Sequence, residues 1–147
     1  MIYRVNYFSN EANVWEYVFN NSWYFSVCSF KSMHKSQLSK SYSEFFEFMA
    51  PFSMETPIVS FHRYQHYRKG QKFHYFKLEK EAKDFLMKNS FNSWNLPELP
   101  EDLAFYNSKG VWLYSISHEN LIYLCVQDPS VVQALIDLGC KIDMLSE

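Results

Sequence analysis

Glycine and proline are scarce in this chain, with 3 Gly and 5 Pro among 147 residues. Sandwiches and barrels built from many tight hairpins need glycine at their turns, and flexible linkers are rich in both residues. The scarcity therefore argues against those architectures and against a chain divided by long linkers. Together with the length, it predicts one domain over 1–147 in which helices pack on a sheet.

Long apolar runs are missing, and cysteine is rare. No segment approaches the roughly 18 continuous apolar residues of a membrane span, and the initial residues MIYRVNYFSNEANVW have no basic stretch followed by an apolar one. We therefore expect a cytoplasmic protein. Cys28, Cys125 and Cys140 are odd in number and too widely spaced for a zinc knuckle or a redox motif, so we expect reduced, mostly buried thiols.

Aromatic residues, in contrast, are abundant: 14 Phe, 11 Tyr and 4 Trp make up 20% of the chain. Each of these side chains can bury a large apolar area, so the chain can build a stable core. Intrinsic disorder is therefore not expected.

Apolar periodicity predicts the elements of the first part of the chain. A helix over about 11–20 can be capped by Ser9 or Asn10, and four apolar residues share one of its faces: Val14, Trp15, Val18 and Phe19. The other predicted elements are strands over 2–8 and 23–30, a polar loop over 31–43, one or two helical turns over 44–49, a strand over 57–67, and KFHYF as its hairpin partner.

The second part of the chain gives clearer signals. Leu78, Ala82, Phe85 and Leu86 form the apolar stripe of a helix over 77–89. An extended connector with two prolines follows, and from Leu103 three apolar segments separated by NSKG and HEN predict an antiparallel meander. The last predicted helix covers 130–138, with Asp128 as its N-cap, Pro129 at its first position and Gly139 at its end. The fold class predicted is α+β, a single domain in which an antiparallel sheet carries three to four helices.

Charge is distributed unevenly along the chain. Residues 1–96 carry 12 Lys and Arg against 8 Asp and Glu, whereas residues 97–147 carry 2 against 8. A field of one sign steers an oppositely charged partner over about one Debye length, roughly 8 to 10 Å. We expect an exposed acidic surface that suits a basic protein partner, formed by Glu98, Glu101, Asp102, Glu119, Asp128, Asp137 and Asp143.

A basic and aromatic segment over 61–77, FHRYQHYRKGQKFHYFK, carries the alternative interpretation. Its cations can neutralise phosphates while its rings stack on bases, which is typical of single-stranded nucleic-acid binding. The residues concerned are His62, Arg63, His66, Arg68, Lys69 and Lys72. A hairpin with one aromatic face and one solvated basic face explains the same pattern. On a strand, His62 and His66 are about 13 Å apart, so no metal site is expected.

His118 and Glu119, with Cys125, Ser115 or Ser117 as a nearby nucleophile, are residue types that a hydrolase centre uses. The chain has neither the Gly-x-Ser-x-Gly elbow nor a glycine-rich oxyanion loop, and HEN is a normal polar turn. We therefore expect a protein without catalytic activity and without a cofactor.

The run LPEDLAFYNSKGVWLYSISHENLIYL, which begins at Leu99, resembles a segment of small proteins from Bacillus-type bacteria. Some of these proteins are similar to immunity proteins that neutralise the toxin domain, often a ribonuclease, of LXG-type polymorphic toxins. The resemblance implies an antitoxin that occludes its toxin's active site. The binding residues it implies are Glu98, Glu101, Asp102, Trp112, Tyr114, His118 and Glu119. The alternative remains a nucleic-acid-binding or phage-encoded regulatory protein that uses 61–77.

Overall fold

Strands and helices make up most of residues 1–31, 33–55 and 70–146, which are the residues that the computed structural model describes. The strands are β1 (Ile2–Tyr7), β2 (Tyr24–Phe30), β3 (Ser53–Met54), β4 (Gln71–Lys77), β5 (Glu101–Asn107), β6 (Gly110–Ile116), β7 (Leu121–Cys125) and β8 (Lys141–Ser146). The helices are α1 (Ala12–Asn20), α2 (Lys40–Met49), α3 (Lys80–Met87) and α4 (Pro129–Asp137). These described elements confirm the predicted α+β class with its antiparallel sheet and four helices.

All eight strands belong to one sheet, in the order β3-β4-β2-β5-β6-β7-β1-β8, and each neighbouring pair is antiparallel. The strands β5, β6 and β7 form the predicted meander. The first strand of the chain lies between β7 and β8, so the first and last strands pair with each other at one side of the sheet.

The main core lies between the helices and one face of the sheet. It combines apolar residues from all four helices with strand residues such as Phe25, Phe105 and Leu113. All four residues predicted to share a face of α1 are buried there. Full burial of a side chain of this size stabilises the fold by about 1.5 to 3 kcal/mol before entropy is counted. The amphipathic periodicity of α1 therefore identified its buried face correctly.

A second cluster of buried residues lies on the opposite face of the sheet and contains strand residues alone. Tyrosines dominate it: the rings of Tyr24 and Tyr106 stack with their centroids 4.7 Å apart, and Tyr75 packs edge-on against both. The hydroxyls of Tyr106 and Ser26 are hydrogen-bonded at 2.8 Å. Both faces of the central strands are therefore buried, which explains why β2 and β5 show no simple alternation of polar and apolar residues.

The structure corrects two predictions about helix starts. Helix α2 begins at Lys40, inside the segment predicted as a loop, because Tyr42, Phe45 and Met49 fall on one face and bury it. The N-cap of α1 is Glu11, with no side-chain hydrogen bond, instead of Ser9 or Asn10. The Asn10 carboxamide oxygen instead accepts a hydrogen bond from the Phe91 N–H at 2.8 Å, so a tertiary contact replaces the local cap.

The structure confirms the predicted cap of α4 and the buried cysteines, contains one strand that was not predicted, and describes the predicted 57–76 hairpin only in part. The strand predicted over 57–67 lies outside the described residues. Its predicted hairpin partner, KFHYF, lies in β4, which pairs with β2 and β3. Strand β8, which pairs with β1, was not predicted. The cap of α4 is confirmed, since the Asp128 side chain accepts from the Ser130 N–H. All three cysteines are free and buried, as expected.

A helix that crosses a membrane must be both long and apolar. No helix in the described ranges combines the length and apolar character that a bilayer crossing demands.

Candidate functional site

Five of the residues on which the functional hypotheses rest meet where β5 begins and β6 ends. We call this place the β5–β6 corner, and it consists of Glu101, Asp102, Ser117, His118 and Glu119. Residues Ser117–Glu119 form a single turn of 3₁₀ helix, and Asn120 completes the reversal into β7 with a left-handed φ of 54°. Asparagine tolerates that conformation better than most residues, which explains the HEN turn between two apolar strands.

A β-bulge places Asp102 at this corner. Ser26 pairs with Ala104 and Cys28 pairs with Glu101, so one residue of β2 faces two residues of β5. Asp102 takes a φ of 58°, in the left-handed region that aspartate can adopt. The bulge turns its carboxylate toward the end of β6.

The carboxylate of Asp102 is held by hydrogen bonds. Its Oδ1 accepts from the Ser117 N–H at 2.9 Å, and its Oδ2 accepts from the Gln71 side chain at 3.0 Å. The Asp102 N–H in turn donates to Ser117 Oγ at 2.8 Å. These bonds connect the starts of β4 and β5 to the end of β6, so Asp102 organises this end of the sheet.

The β5–β6 corner also brings together three side chains of metal-ligand type. Ligand atoms of Glu101, Asp102 and His118 lie within 4.8 Å of one another, and His118 Nε2 lies 3.8 Å from Glu119 Oε1. Carboxylates and an imidazole are ligands of divalent cations. Both oxygens of Asp102, however, already accept hydrogen bonds that shape the corner. The hydrogen bonds therefore explain the position of Asp102 without a metal ion.

The predicted partner-binding residues divide by burial. Glu98, His118 and Glu119 are exposed. Glu101 and Asp102 are only 6% and 1% exposed, which corrects the expectation that both belong to an exposed acidic surface. The physical reason is the bulge and its hydrogen bonds, which hold the Asp102 carboxylate inside the protein.

The two aromatic residues among the predicted binding residues, Trp112 and Tyr114 on β6, are also buried, at 2% and 4% exposure. Leu113 pairs with Phe105 and Val111 with Tyr106, so Trp112 has no partner on β5 and lies in a bulge. Trp112 packs in the main core, and its Nε1–H donates to Ser22 Oγ at 3.0 Å. Tyr114 belongs to the tyrosine cluster on the other face. Neither ring is part of the surface.

Exposed charge in 97–146 remains strongly acidic after these corrections. Five carboxylates are exposed against two lysines, Lys109 and Lys141; the carboxylates are Glu98, Glu119, Asp128, Asp137 and Asp143. Three of them accept hydrogen bonds from nearby groups: Asp143 from the Asn6 side chain, Asp137 from the Gln133 side chain, and Asp128 from the Ser130 N–H at the start of α4. The hydrogen bonds from Ser130 lower the pKa of Asp128, so its charge is maintained under mildly acidic conditions.

The alternative nucleic-acid site is described only in part. Lys72 is exposed on β4, whereas His62, Arg63, His66, Arg68 and Lys69 lie outside the described residues. His74, on the same strand, is no surface cation: burial, reinforced by nearby Lys72, lowers its pKa to about 4. Its Nε2 is hydrogen-bonded to Ser29 Oγ at 2.7 Å, and its ring packs on Phe46. His74 is therefore neutral near pH 7.

The groups considered for a hydrolase have structural contacts. Ser115 Oγ is buried and donates to the Leu103 carbonyl at 3.1 Å, while Ser117 Oγ accepts from Asp102. Cys125 ends β7, and His118 precedes the start of the same strand. Cys125 lines an open cavity of about 280 Å³ together with Lys109 and Asp128, and His118 is not part of that lining. The absence of catalytic activity stays a prediction.

One feature was missed by sequence reasoning. Between α2, α3 and the segment before β5 lies an open cavity of about 370 Å³, and its lining includes Glu44, Phe85 and Glu98. These residues come from three separate parts of the chain, so no local motif could have indicated them.

The described residues form an α+β protein whose exposed charged side chains over 97–146 are mostly acidic. Comparisons of the chain with protein-family models, curated proteins and solved structures gave no match.

Proposed function

We propose that this chain is a binding protein that neutralises a basic protein partner by covering the partner's functional surface. The observation that carries the proposal is the excess of exposed carboxylates over lysines, five against two, in the described part of 97–147. Such a field accelerates association with a cationic surface and disfavours anionic competitors.

The resemblance of the run from Leu99 to immunity proteins gives the proposal its finer form. In that form, the chain is a cytoplasmic antitoxin and its partner is a toxin, in particular a ribonuclease. A ribonuclease binds RNA phosphates with cations, so exposed carboxylates can occupy the same site and exclude RNA. Occlusion of this kind needs neither a cofactor nor catalysis by the antitoxin.

The corner residues have two roles in this proposal. His118 and Glu119 are exposed on the turn after β6 and can contact the partner directly. Buried Asp102 acts through them, because its hydrogen bonds with Ser117 fix the start of that turn. Trp112 and Tyr114 stabilise the strand that carries the turn.

Affinity capture tests the proposal. The tagged protein is expressed in its own host, captured with and without nuclease treatment, and the complex is sized and identified by mass spectrometry. We expect a stoichiometric basic protein that survives nuclease and whose toxicity is suppressed when the two are co-expressed. Recovery of nuclease-sensitive material alone would contradict the proposal and favour nucleic-acid binding through 61–77.

Two matched variants locate the interface. One neutralises four exposed acids of the acidic segment: Glu98→Gln, Glu119→Gln, Asp137→Asn and Asp143→Asn. The control neutralises four exposed acids elsewhere: Glu11→Gln, Glu16→Gln, Glu79→Gln and Glu81→Gln. Both remove the same charge. We expect the first set alone to slow association and to reduce its salt dependence; equal effects would show that net charge, not this surface, matters.

A further inference from the structure

The cavity between α2 and α3 has the composition of a receptor for a cationic side chain. Its lining includes Glu44, Glu98, Phe85 and Leu99. Among the described residues that line it, none carries a positive charge. A volume of about 370 Å³ exceeds that of a single amino-acid side chain. The cavity therefore offers both an apolar wall and two anionic groups.

Hydrogen bonds join the segment that carries Glu98 to helix α2, which carries Glu44. Ser41 Oγ donates to the Glu98 carbonyl at 2.8 Å, and the Ser39 N–H donates to the Pro97 carbonyl at 3.0 Å. Glu44 lies three residues after Ser41, on the same side of α2. The segment with Glu98 is thus fixed against the helix that carries Glu44, and both residues line one cavity.

The aromatic wall is equally constrained. The Phe85 ring packs against Phe45 and Trp94 in the core and stacks with Phe48 at a centroid distance of 5.3 Å. Phe48 is 44% exposed, which extends the apolar surface beyond the cavity. A ring held in this way can support a flat cation with little loss of conformational entropy.

The Glu44 carboxylate has one described cation nearby. Lys40 Nζ lies 3.5 Å from Glu44 Oε1, but the Lys40 side chain is 91% exposed. Such a pair at a helix surface is weak and exchanges readily. A ligand cation can therefore displace Lys40 at small cost.

We propose that this cavity binds an arginine side chain of the partner protein, with the guanidinium on Phe85 and its N–H groups donating to Glu44 and Glu98. This inference rests on the proposed function, since the partner is a basic protein. Arginine fits better than lysine because its planar, weakly hydrated head group both stacks on a ring and bonds two carboxylates.

N-acetyl-arginine amide is the probe for a direct test on the intact protein, followed through backbone amide chemical shifts. We expect saturable shifts at Asn89 and Leu99, which line the cavity. N-acetyl-citrulline amide has nearly the same shape without the charge, and it should cause none. N-acetyl-lysine amide should bind more weakly. Equal shifts with citrulline or with lysine, or none with arginine, would overturn the assignment.

Variants provide the second arm. We expect the double variant Glu44→Gln/Glu98→Gln to weaken arginine-amide binding about tenfold, because two charge-assisted hydrogen bonds are lost. The matched control Glu47→Gln/Glu81→Gln removes two exposed charges that do not line the cavity. It should bind as the parent protein does. Equal weakening in both would overturn the proposal.

These experiments distinguish a failure of the proposed function from a failure of the cavity proposal. Arginine-amide binding without a captured basic protein would refute the proposed function while supporting a guanidinium site. A captured basic partner whose affinity is unchanged in Glu44→Gln/Glu98→Gln would support the function and refute the cavity as its docking point.

Discussion

Asp102 and Ser117 exchange two hydrogen bonds across the start of β5 and the end of β6. The Asp102 N–H donates to Ser117 Oγ, and the Ser117 N–H donates to Asp102 Oδ1. Each residue therefore satisfies the backbone donor of the other, at a place where a bulge and a turn interrupt the ladder of β5 and β6. The pair fixes the direction in which exposed His118 and Glu119 leave the sheet.

Removal of the Asp102 side chain should destabilise the protein. We expect Asp102→Ala to reduce the free energy of unfolding by about 1 to 3 kcal/mol, because the partly buried Ser117 N–H loses its acceptor. Asp102→Asn keeps an acceptor oxygen and tolerates the positive φ, so its loss should be smaller. Urea unfolding measures both. Asp84→Asn, on the exposed side of α3, is the control and should change little.

A double-mutant cycle measures the coupling between these two hydrogen bonds. Asp102→Ala removes the bond from the Ser117 N–H, and Ser117→Ala removes the bond from the Asp102 N–H. The two losses should not add, because both bonds hold the same bulge and turn together and the remaining bond weakens when the other is lost. Additive losses would mean that the pair does not act as a unit.

His74 should make stability depend on pH. Its pKa falls from 6.5 to about 4 in the folded chain, because burial disfavours its charged form and Lys72 adds repulsion. Between those values the unfolded chain binds more protons than the folded one, so the free energy of unfolding should fall as pH drops from about 6.5 to 4. Urea titrations at pH 7.5, 6.5, 5.5 and 4.5 measure this slope.

The variant His74→Gln separates this effect from the titration of carboxylates. Its slope between pH 6.5 and 5 should be shallower than that of the parent, and His34→Gln, at an exposed position, controls for the loss of one histidine. An unchanged slope in His74→Gln would contradict the assignment of a buried neutral imidazole.

Trp112 should matter for stability and not for partner contact. We expect Trp112→Ala to cost about 3 to 5 kcal/mol, because it opens a cavity in the main core. Trp112→Phe should cost about 1 to 2 kcal/mol through the lost bond to Ser22. Trp23, which is 63% exposed, is the matched control, and Trp23→Phe should stay within about 0.5 kcal/mol. Affinity for the partner, measured on folded Trp112→Phe, should be unchanged.

Local patterns were reliable where a single face of an element is buried. Helix α1 followed from its periodicity and helix α4 from its cap residues. The meander followed from its turns instead, since β5 and β6 are buried on both faces. Strand β8 escaped prediction because its residues are mostly exposed and its pairing with β1 joins positions about 140 residues apart. A strand of that kind is stabilised by its neighbour and not by its own alternation.

The sequence by itself determined the α+β class, the buried thiols, and the concentration of acidic residues after position 96, since these depend on composition and short-range spacing. Only the tertiary structure decided which acids face solvent. The bulge in β5 buries Asp102, and the bulge in β6 directs Trp112 into the core, because register between distant strands sets the direction of each side chain. Tertiary packing likewise brought Glu44, Phe85 and Glu98 around one cavity.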